Sequence, residues 1–248
     1  MDIQKIKLVV FDMSGTTVED RNEVLDCFHA ALKKTGLERD KTTINTMMGW
    51  SKIEVFRHFW TEELGSRAEF LEFKAQESFG VFRQLLEEYY AHNKMLPTEG
   101  CLETFAFLRE RGIKIALNTG FYRKVVDILL HQMDWKIGRD IDFVIASDEV
   151  PRGRPESFMI KAAMRRFGIK DPQEVIKIGD TPVDLEEGRN ARCCTFGLTN
   201  GSHTEEELMD LDSDGLYPSL YAFLEDLQDP NASVLLDGAI MPIMTIEA

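Results

Sequence analysis

Several apolar, strand-like runs in the chain are followed by a polar residue that could take part in catalysis. These residues are Asp12, Thr119, Arg154 and the pair Asp180 and Asp184. Together they offer carboxylates for a hard metal ion such as Mg²⁺, a hydroxyl donor for an anion and a fixed cation. Phosphoryl transfer requires these groups, with a carboxylate as the attacking nucleophile.

Each of these residues also has a purely structural explanation. Asp12 could close a turn, and Asp180 and Asp184 could cap a helix. Thr119 could end a strand, and Arg154 could be a surface charge. Their occurrence in order, each after a predicted strand, favours a common site, because parallel strands present their carboxyl ends at one edge of a sheet.

The second half of the chain alternates strand and helix signals that would position these residues. Strands are predicted at 8–11, 113–120, 142–146 and 175–178, and helices are expected to begin at Pro155 and Pro182. Strands that alternate with helices pair in parallel. The sequence therefore predicts an α/β fold with a doubly wound parallel sheet.

A different pattern fills the stretch from residue 20 to residue 93, where every signal is helical. One helix is expected from about Arg21 to Thr35, and a later apolar stripe consists of Ile53, Phe56 and Trp60. Pro97 and Gly100 mark the return to the main domain. We therefore predict a core of residues 1–19 and 94–230, a helical insertion at 20–93, and a C-terminal tail at 231–248 without an assigned role.

Composition limits the partners of the protein. With 44% hydrophobic residues, a chain of 248 residues can form a sizeable core. A net charge of −14 disfavours nucleic acid and anionic membranes, which are also negatively charged. The four cysteines show no CxxC spacing, and no targeting segment or membrane span is recognised, so we expect a cytoplasmic protein with reduced thiols. The helical stripe or the apolar tail could serve a homodimer.

The stretches 12–17, 118–120, 153–155 and 179–184, with the helical insertion after the first strand, resemble the haloacid dehalogenase superfamily. The resemblance covers roughly residues 5–225. It implies a Rossmann-like core with an inserted, all-helical C1-type cap, and a small phosphorylated or phosphonate substrate. It also implies that the Asp12 carboxylate is the nucleophile and forms an aspartyl-phosphate.

The same resemblance assigns the other site residues. Mg²⁺ would be held by Asp12, the carbonyl of Ser14 and Asp180, with Asp184 in support. Thr119 and the Gly120 amide would bind the phosphoryl oxygens, with Thr16 among the substrate-binding residues. Arg154 would stand where most members of the superfamily have a lysine.

Ser14 distinguishes branches of the superfamily. Most of its phosphatases have an aspartate there as general acid and base, and a serine hydroxyl is too weak an acid for that role. The loop, with Arg154 and Gly179-Asp180-Thr181, resembles the phosphonatase branch. That branch cleaves a carbon–phosphorus bond after a cap lysine forms a Schiff base with the substrate. Met48-Gly49-Trp50-Ser51-Lys52-Ile53 is similar to its lysine segment, which implies Lys52 as this lysine and Met48 and Gly49 as substrate contacts.

Lys52 also stands at the expected start of a helix, with Ser51 as a plausible N-cap. The positive end of the helix dipole should lower the pKa of its amine, although most lysines are simply solvated surface charges. Two residues depart from the branch: Val55 replaces a histidine and Phe121 a tyrosine, and His58 lies in the wrong helical register to substitute.

These departures leave two alternatives to a phosphonatase. One is a phosphomonoesterase of the phosphoglycolate phosphatase type, in which Lys52 is only a cationic contact. The other is a non-catalytic phosphate-binding protein. The presence of Asp12, Thr119, Arg154 and Asp180 argues against the second.

Overall fold

The computed structural model describes residues 3–229, so the predicted tail at 231–248 lies outside the described residues. The described strands are β1 (Leu8–Phe11), β2 (Lys114–Thr119), β3 (Phe143–Ala146), β4 (Val175–Gly179), β5 (Cys194–Leu198) and β6 (Gly215–Tyr217). They form a parallel sheet in the order β3-β2-β1-β4-β5-β6. This confirms the predicted α/β fold and its doubly wound, Rossmann-like parallel sheet.

The strand order reverses between β1 and β4, and this reversal locates the site. From β1 the chain builds outward through β2 and β3, then crosses back to place β4 on the other side of β1. A crevice forms at the carboxyl ends of the strands where the order reverses. Asp12 follows β1 and Asp180 follows β4, so these carboxylates flank it.

The described helices cover both the sheet and the inserted region. They are α1 (Glu23–Lys34), α2 (Lys41–Asn45), α3 (Lys52–Leu64), α4 (Leu71–His92), α5 (Cys101–Glu110), α6 (Arg123–Gln132), α7 (Phe158–Phe167), α8 (Pro182–Ala191), α9 (Glu205–Leu208) and α10 (Leu220–Gln228). The first four lie between β1 and α5. Within residues 3–229 we find no helix with the length and apolar character needed to cross a bilayer.

The sheet is buried on both faces, which explains its unbroken apolar strands. All four residues of β1 are buried. Val9 and Phe11 belong to the larger core cluster, whereas Leu8 and Val10 pack with Ile160 and other residues of α7. Alternate residues of one strand therefore anchor both helical layers.

Aromatic packing holds the helices of the insertion together. The ring centroids of Phe28 and Phe82 are 4.3 Å apart, and those of Phe28 and Phe56 are 5.0 Å apart. These rings join α1, α3 and α4. On the same helices, Trp60 Nε1 donates a hydrogen bond to Ser78 Oγ at 2.8 Å. The N-terminus of α3, which carries Lys52, is thus supported by a packed aromatic cluster.

Two details differ from the sequence prediction. The short β5 and β6 strands had not been predicted. The helix expected from Pro155 begins instead at Phe158, because residues 154–157 form turns that start with a cis Arg154–Pro155 peptide. By contrast, α8 does begin at Pro182.

Candidate active site

Asp12 directly follows β1, and its loop closes against the neighbouring strand end. The Asp12 N–H donates to the carbonyl of Ile178 at 3.0 Å, and the Thr17 hydroxyl donates to the carbonyl of Asp12 at 2.8 Å. Gly15 has a φ of +79°, and a Cβ there would lie 2.3 Å from Asp180 Oδ2. Glycine at this turn therefore lets the loop approach the second carboxylate.

A buried arginine holds the Asp12 carboxylate. Arg154 Nη2 lies 2.5 Å from Asp12 Oδ1, and Nη1 lies 2.8 Å from Asp184 Oδ1. Its Nε lies 3.3 Å from Glu187 Oε2. Burial alone would lower the pKa of Arg154, but these three carboxylates raise it overall. Arg154 is therefore a permanent cation beside Asp12, and its surface-charge explanation is wrong.

A second buried cation, Lys177 in β4, completes this network. Its Nζ lies 2.8 Å from Asp184 Oδ1, 3.4 Å from Glu187 Oε2 and 2.7 Å from Asn118 Oδ1. Asn118 Nδ2 in turn donates to both Glu187 oxygens, at 2.8 and 3.0 Å. Lys177 and Glu187 were not predicted from the sequence. The available signals were a lysine inside an apolar strand and a carboxylate three residues after Asp184, on the same helix face.

Asp184 combines a structural and an electrostatic role. Its Oδ2 accepts from the hydroxyl and the N–H of Thr181 at 2.5 and 3.3 Å, so it does cap α8 as its structural explanation held. Its Oδ1 faces Arg154 and Lys177. Although burial opposes the change, these cations lower the pKa of Asp184. Its charge is thereby already balanced.

Asp180 lies in a different environment. Its oxygens accept from the Thr16 hydroxyl at 3.0 Å and from the N–H and hydroxyl of Ser202 at 2.8 and 2.7 Å. Burial, and then the charges of Asp12 and Asp184, raise the pKa of Asp180 to about 7. Asp180 is thus a buried carboxylate held in place by neutral donors.

These carboxylates fit a divalent metal ion. Asp12, Asp180 and Asp184 each place an oxygen within 4.8 Å of the others, and all three are buried. A hard cation prefers oxygen ligands and would relieve the repulsion that raises the pKa of Asp180. Because Asp184 already faces two cations, Asp12 and Asp180 are the better-suited ligands.

Lys52, the first residue of α3, is buried at 5% exposure. Its Nζ lies 5.1 Å from the ring centroid of Phe121 and 5.8 Å from that of Phe28. Burial is the main cause that lowers the pKa of Lys52 to about 8, against the opposing charge of Asp12. The predicted direction agrees, but its main cause is desolvation. Ser51 does occupy the N-cap position, yet its side chain makes no capping hydrogen bond.

Most of the predicted site residues meet around one small cavity. Its lining includes Asp12, Ser14, Met48, Gly49, Lys52, Thr119, Gly120 and Arg154. The cap lies close to the core here, because a Cβ on Gly120 would be 2.6 Å from the Gly49 carbonyl oxygen. The remaining predicted residues, Thr16, Asp180 and Asp184, connect to this lining through the contacts above.

The cavity brings the Asp12 carboxylate together with the Lys52 amine and the hydroxyls of Ser14 and Thr119. The Ser14 hydroxyl is buried without a hydrogen-bond partner within residues 3–229. Thr119 Oγ1 accepts from the Phe121 N–H at 3.1 Å, so its own proton is free to be donated to an anion. A carboxylate, hydroxyl donors and an amine are the groups needed to bind a phosphoryl group and to act on a carbonyl, and the cavity that they line is small, about 10 Å³.

The two positions at which the resemblance to the phosphonatase branch implies histidine and tyrosine are apolar here. Val55 and Phe121 are each 1% exposed. His58 is half-buried and lies 3.2 Å from Glu62, so it does not replace the histidine. A cavity residue that the sequence analysis missed is Asp20, a carboxylate facing the same space as Lys52.

This fold and site define a hydrolase class, and comparison with known proteins agrees. A family model described as haloacid dehalogenase-like hydrolase matches residues 6–192. The chain belongs to this family and is a hydrolase of the haloacid dehalogenase superfamily.

Individual relatives place it near one branch. Phosphonoacetaldehyde hydrolase of Bacillus cereus (strain B4264) is 33% identical over 223 residues, which cover 84% of this chain and 83% of that protein. A phosphonoacetaldehyde hydrolase-like protein from Oleispira antarctica has a TM-score of 0.75 at 21% identity, covering 95% of each chain. A hydrolase from Pseudomonas syringae has a TM-score of 0.78 at 19% identity, covering 89% of this chain and 97% of that one. These two structures share the fold.

Proposed function

We propose that this hydrolase cleaves the carbon–phosphorus bond of a small phosphonate that carries a carbonyl group. The observation that carries the proposal is Lys52, a buried amine whose pKa is lowered to about 8, in the same cavity as Asp12. About a tenth of such an amine is uncharged at neutral pH and can attack a carbonyl. The kinship to a phosphonoacetaldehyde hydrolase supports this substrate class.

The proposed reaction uses the two buried groups in turn. The Lys52 amine attacks the carbonyl carbon, and loss of water gives a protonated imine. An Asp12 oxygen then attacks phosphorus, and the electron pair of the breaking carbon–phosphorus bond moves toward the imine nitrogen to form an enamine. Protonation of the enamine and hydrolysis release the aldehyde and Lys52. Water hydrolyses the aspartyl-phosphate to free phosphate and Asp12.

Neighbouring residues would orient these steps. The Thr119 hydroxyl and the Gly120 amide would bind phosphoryl oxygens, and Thr16, Met48 and Gly49 would shape the cavity around the substrate. Arg154 fixes the Asp12 carboxylate by holding Oδ1 at 2.5 Å. The imine makes the leaving carbon a stable enamine, so the absence of an acid at Ser14 is no obstacle.

Mg²⁺ is the metal that we assign to this site, with Asp12, the Ser14 carbonyl and Asp180 as ligands and Asp184 in support. When bound, it would supply positive charge for the phosphoryl oxygens. Mg²⁺ at 100 times its Kd should raise the free energy of unfolding by about 2.7 kcal/mol. The melting temperature of the protein should rise accordingly. Asp180→Asn should remove this shift, whereas Asp212→Asn, at a side chain that is 86% exposed, should keep it. A shift that survives in Asp180→Asn would contradict the assignment.

The deciding experiment incubates the protein with phosphonoacetaldehyde and Mg²⁺. We expect phosphate release and, with borohydride present, a reduced substrate adduct on Lys52 by mass spectrometry. Lys52→Arg keeps the charge but cannot form the imine, so it should lose both signals. Lys41→Arg, at an exposed lysine paired with Asp26, should keep both. Wild-type protein that releases no phosphate and forms no adduct would refute the proposal.

A phosphomonoesterase of the phosphoglycolate phosphatase type is the second candidate. It is favoured by Val55 and Phe121, which cannot transfer protons in an imine cycle. It predicts that Lys52→Arg hydrolyses small phosphate esters at the full wild-type rate. Release of phosphate from neither esters nor phosphonates would instead favour a non-catalytic phosphate-binding protein. The homodimer and the cytoplasmic location stay predictions from sequence.

A further inference from the structure

The cavity contains a carboxylate to which the reaction above gives no task. Asp20 lines it together with Lys52 and Asp12, from the segment that connects the Asp12 loop to α1. Forming and hydrolysing an imine requires a group that first gives and then takes a proton. Ser14, Val55 and Phe121 cannot serve, since a hydroxyl is too weakly acidic and the other two carry no proton-transferring atom.

Asp20 is well placed to hold such a proton because it is paired with another carboxyl group. The hydrogen bond with Glu23 lowers the pKa of Asp20, whereas the charge of Asp20 raises the pKa of Glu23, so the proton of the pair resides on Glu23 and can pass to Asp20. The Asn22 N–H donates to Asp20 Oδ1 at 2.7 Å and fixes this oxygen. Burial raises the pKa of Asp20 and of Glu23, which favours retention of the shared proton.

Glu23 is itself held from the cap interior. It is 3% exposed, and its Oε1 accepts from the Tyr90 hydroxyl at 2.8 Å. The Arg21 N–H donates to Oε2 at 2.8 Å. Tyr90 is buried in α4, so the pair is anchored on one side by the cap and open on the other side to the cavity. The charged groups that face Asp20 are Lys52, Asp12 and Glu23.

We propose that Asp20 is the general acid and base for the Lys52 imine, with Glu23 positioning the proton that they share. The inference rests on the proposed function and names the residue that its imine cycle lacks. Asp20 and Glu23 form a local pair at the start of α1, three residues apart in sequence, and Asp20 lines the same cavity as Lys52.

The proton balance of this role closes within one cycle. Addition of the Lys52 amine to the carbonyl gives a carbinolamine. Asp20 donates its proton to the carbinolamine oxygen, the carbon–oxygen bond breaks, and water leaves as the nitrogen lone pair forms the protonated imine. After cleavage, the enamine carbon takes up a proton from solvent to give the product imine, and hydrolysis of the aspartyl-phosphate returns that proton. Water then adds to the product imine and gives a proton back to the Asp20 carboxylate. The new carbinolamine then collapses to the aldehyde and the free amine.

The test compares Asp20→Asn with wild type on phosphonoacetaldehyde and on acetyl phosphate, whose acetate leaving group requires neither an imine nor a proton. We expect Asp20→Asn to lower phosphonate turnover and the single-turnover rate of borohydride trapping on Lys52 by about 10²- to 10⁴-fold. Hydrolysis of acetyl phosphate should stay near the wild-type rate. Glu19→Gln, at an adjacent side chain paired with Arg21 at the surface, is the matched control and should change neither.

Several results would overturn the proposal. Trapping at the wild-type rate in Asp20→Asn would remove Asp20 from the imine cycle. An equal fall for both substrates, with a lower melting temperature, would show a structural role. If Asp20→Asn does not fold, Glu23→Gln takes its place. That variant must slow borohydride trapping on Lys52 and leave the rate of acetyl phosphate hydrolysis unchanged. Wild-type protein without any Lys52 adduct would refute the phosphonatase function itself, whereas a normal wild-type adduct with unaffected variants refutes only the role of Asp20.

Discussion

Arg154 in the core and Lys52 in the cap both line the same cavity and are both buried, yet their surroundings shift the pKa of the two groups in opposite directions. Arg154 faces the carboxylates of Asp12, Asp184 and Glu187, which raise its pKa. Lys52 faces the rings of Phe28 and Phe121, and burial lowers its pKa to about 8. Burial penalises both charges, and the difference lies in whether anionic partners are buried with them.

This contrast separates two chemical tasks. A cation surrounded by carboxylates keeps its charge and can orient Asp12 through a phosphoryl transfer. An amine whose burial outweighs the attraction of nearby carboxylates gives up its charge more readily and can act as a nucleophile. The core would thus carry the phosphoryl chemistry and the cap the carbonyl chemistry.

Removal of the nucleophile should separate these tasks most strongly. Asp12→Asn should lower phosphate release by about 10⁴-fold or more, because loss of a covalent nucleophile removes the pathway itself. The Lys52 adduct should still form in this variant, since imine formation does not need Asp12. Phosphate assays and borohydride trapping measure the two outcomes, and Asp26→Asn, at a 56% exposed side chain of α1, is the control. Loss of the adduct in Asp12→Asn would show that the two tasks are not separable.

The next effect tests the core network by its stability. Arg154→Met leaves Asp12, Asp184 and Glu187 with Lys177 as the remaining cation of the network described here, and should destabilise the protein by about 3–5 kcal/mol. Arg152→Met is the matched control, because that side chain is 69% exposed and pairs with Glu156 at the surface. Denaturant unfolding measures both variants. Similar stability of the two would mean that the network carries no net electrostatic stabilisation.

The sequence predicted the parts of the site that local patterns encode. Asp12, Thr119 and Asp180 stand at strand ends, and the strand ends were visible as apolar runs broken by polar residues. The parallel topology then followed from alternation, and with it the meeting of these residues at one edge. Lys52 was found through a resemblance, and its place at the expected start of a helix was the one local signal that set it apart from a surface lysine.

What the sequence could not predict depends on contacts between distant segments. From the sequence, Lys177 is only an unusual residue in an apolar strand, and Glu187 is only a charge on a helix. The packing of β4 against α8 places Lys177 Nζ 3.4 Å from Glu187 Oε2. The cause of the lowered pKa of Lys52 was also hidden, because its burial depends on the packing of distant segments, among them Phe28 in α1 and Phe121 after β2. The short β6 strand contains a glycine and only three residues, too few to show a period.

A stability measurement should show the opposite sign for the cap cation. The fall of the Lys52 pKa from its ordinary 10.5 to about 8 corresponds to a cost of about 3 kcal/mol for burying the charged amine. Lys52→Met should therefore stabilise the protein at neutral pH while abolishing phosphonate turnover. Lys41→Met, at an exposed lysine, should change stability little. A destabilised Lys52→Met would show that the amine is held by favourable contacts that outweigh its desolvation.

The sign of this cost can be followed with pH. Below about 8 the amine is charged in both the folded and the unfolded state, so the cost is fully present. As pH rises from about 8 toward 10.5, the folded protein loses its proton first, and the cost disappears. The advantage of Lys52→Met over wild type in thermal unfolding should shrink over the same interval.

The smallest expected effect is the pH dependence of the cap chemistry itself. Only the uncharged Lys52 amine attacks a carbonyl, so kcat/KM for phosphonoacetaldehyde should fall tenfold per pH unit below about 8. Hydrolysis of acetyl phosphate by the same protein is the control. Its kcat/KM should not fall in this way below about pH 8, because the reaction would use Asp12 and Arg154 and needs no free amine. A limb with a midpoint near the ordinary lysine value of 10.5 would mean that the rings around Lys52 do not desolvate it in solution. The same pH dependence of kcat/KM for both substrates would place the titrating group in the core. The contrast between Arg154 and Lys52 would then not explain how phosphoryl and carbonyl chemistry are divided between core and cap.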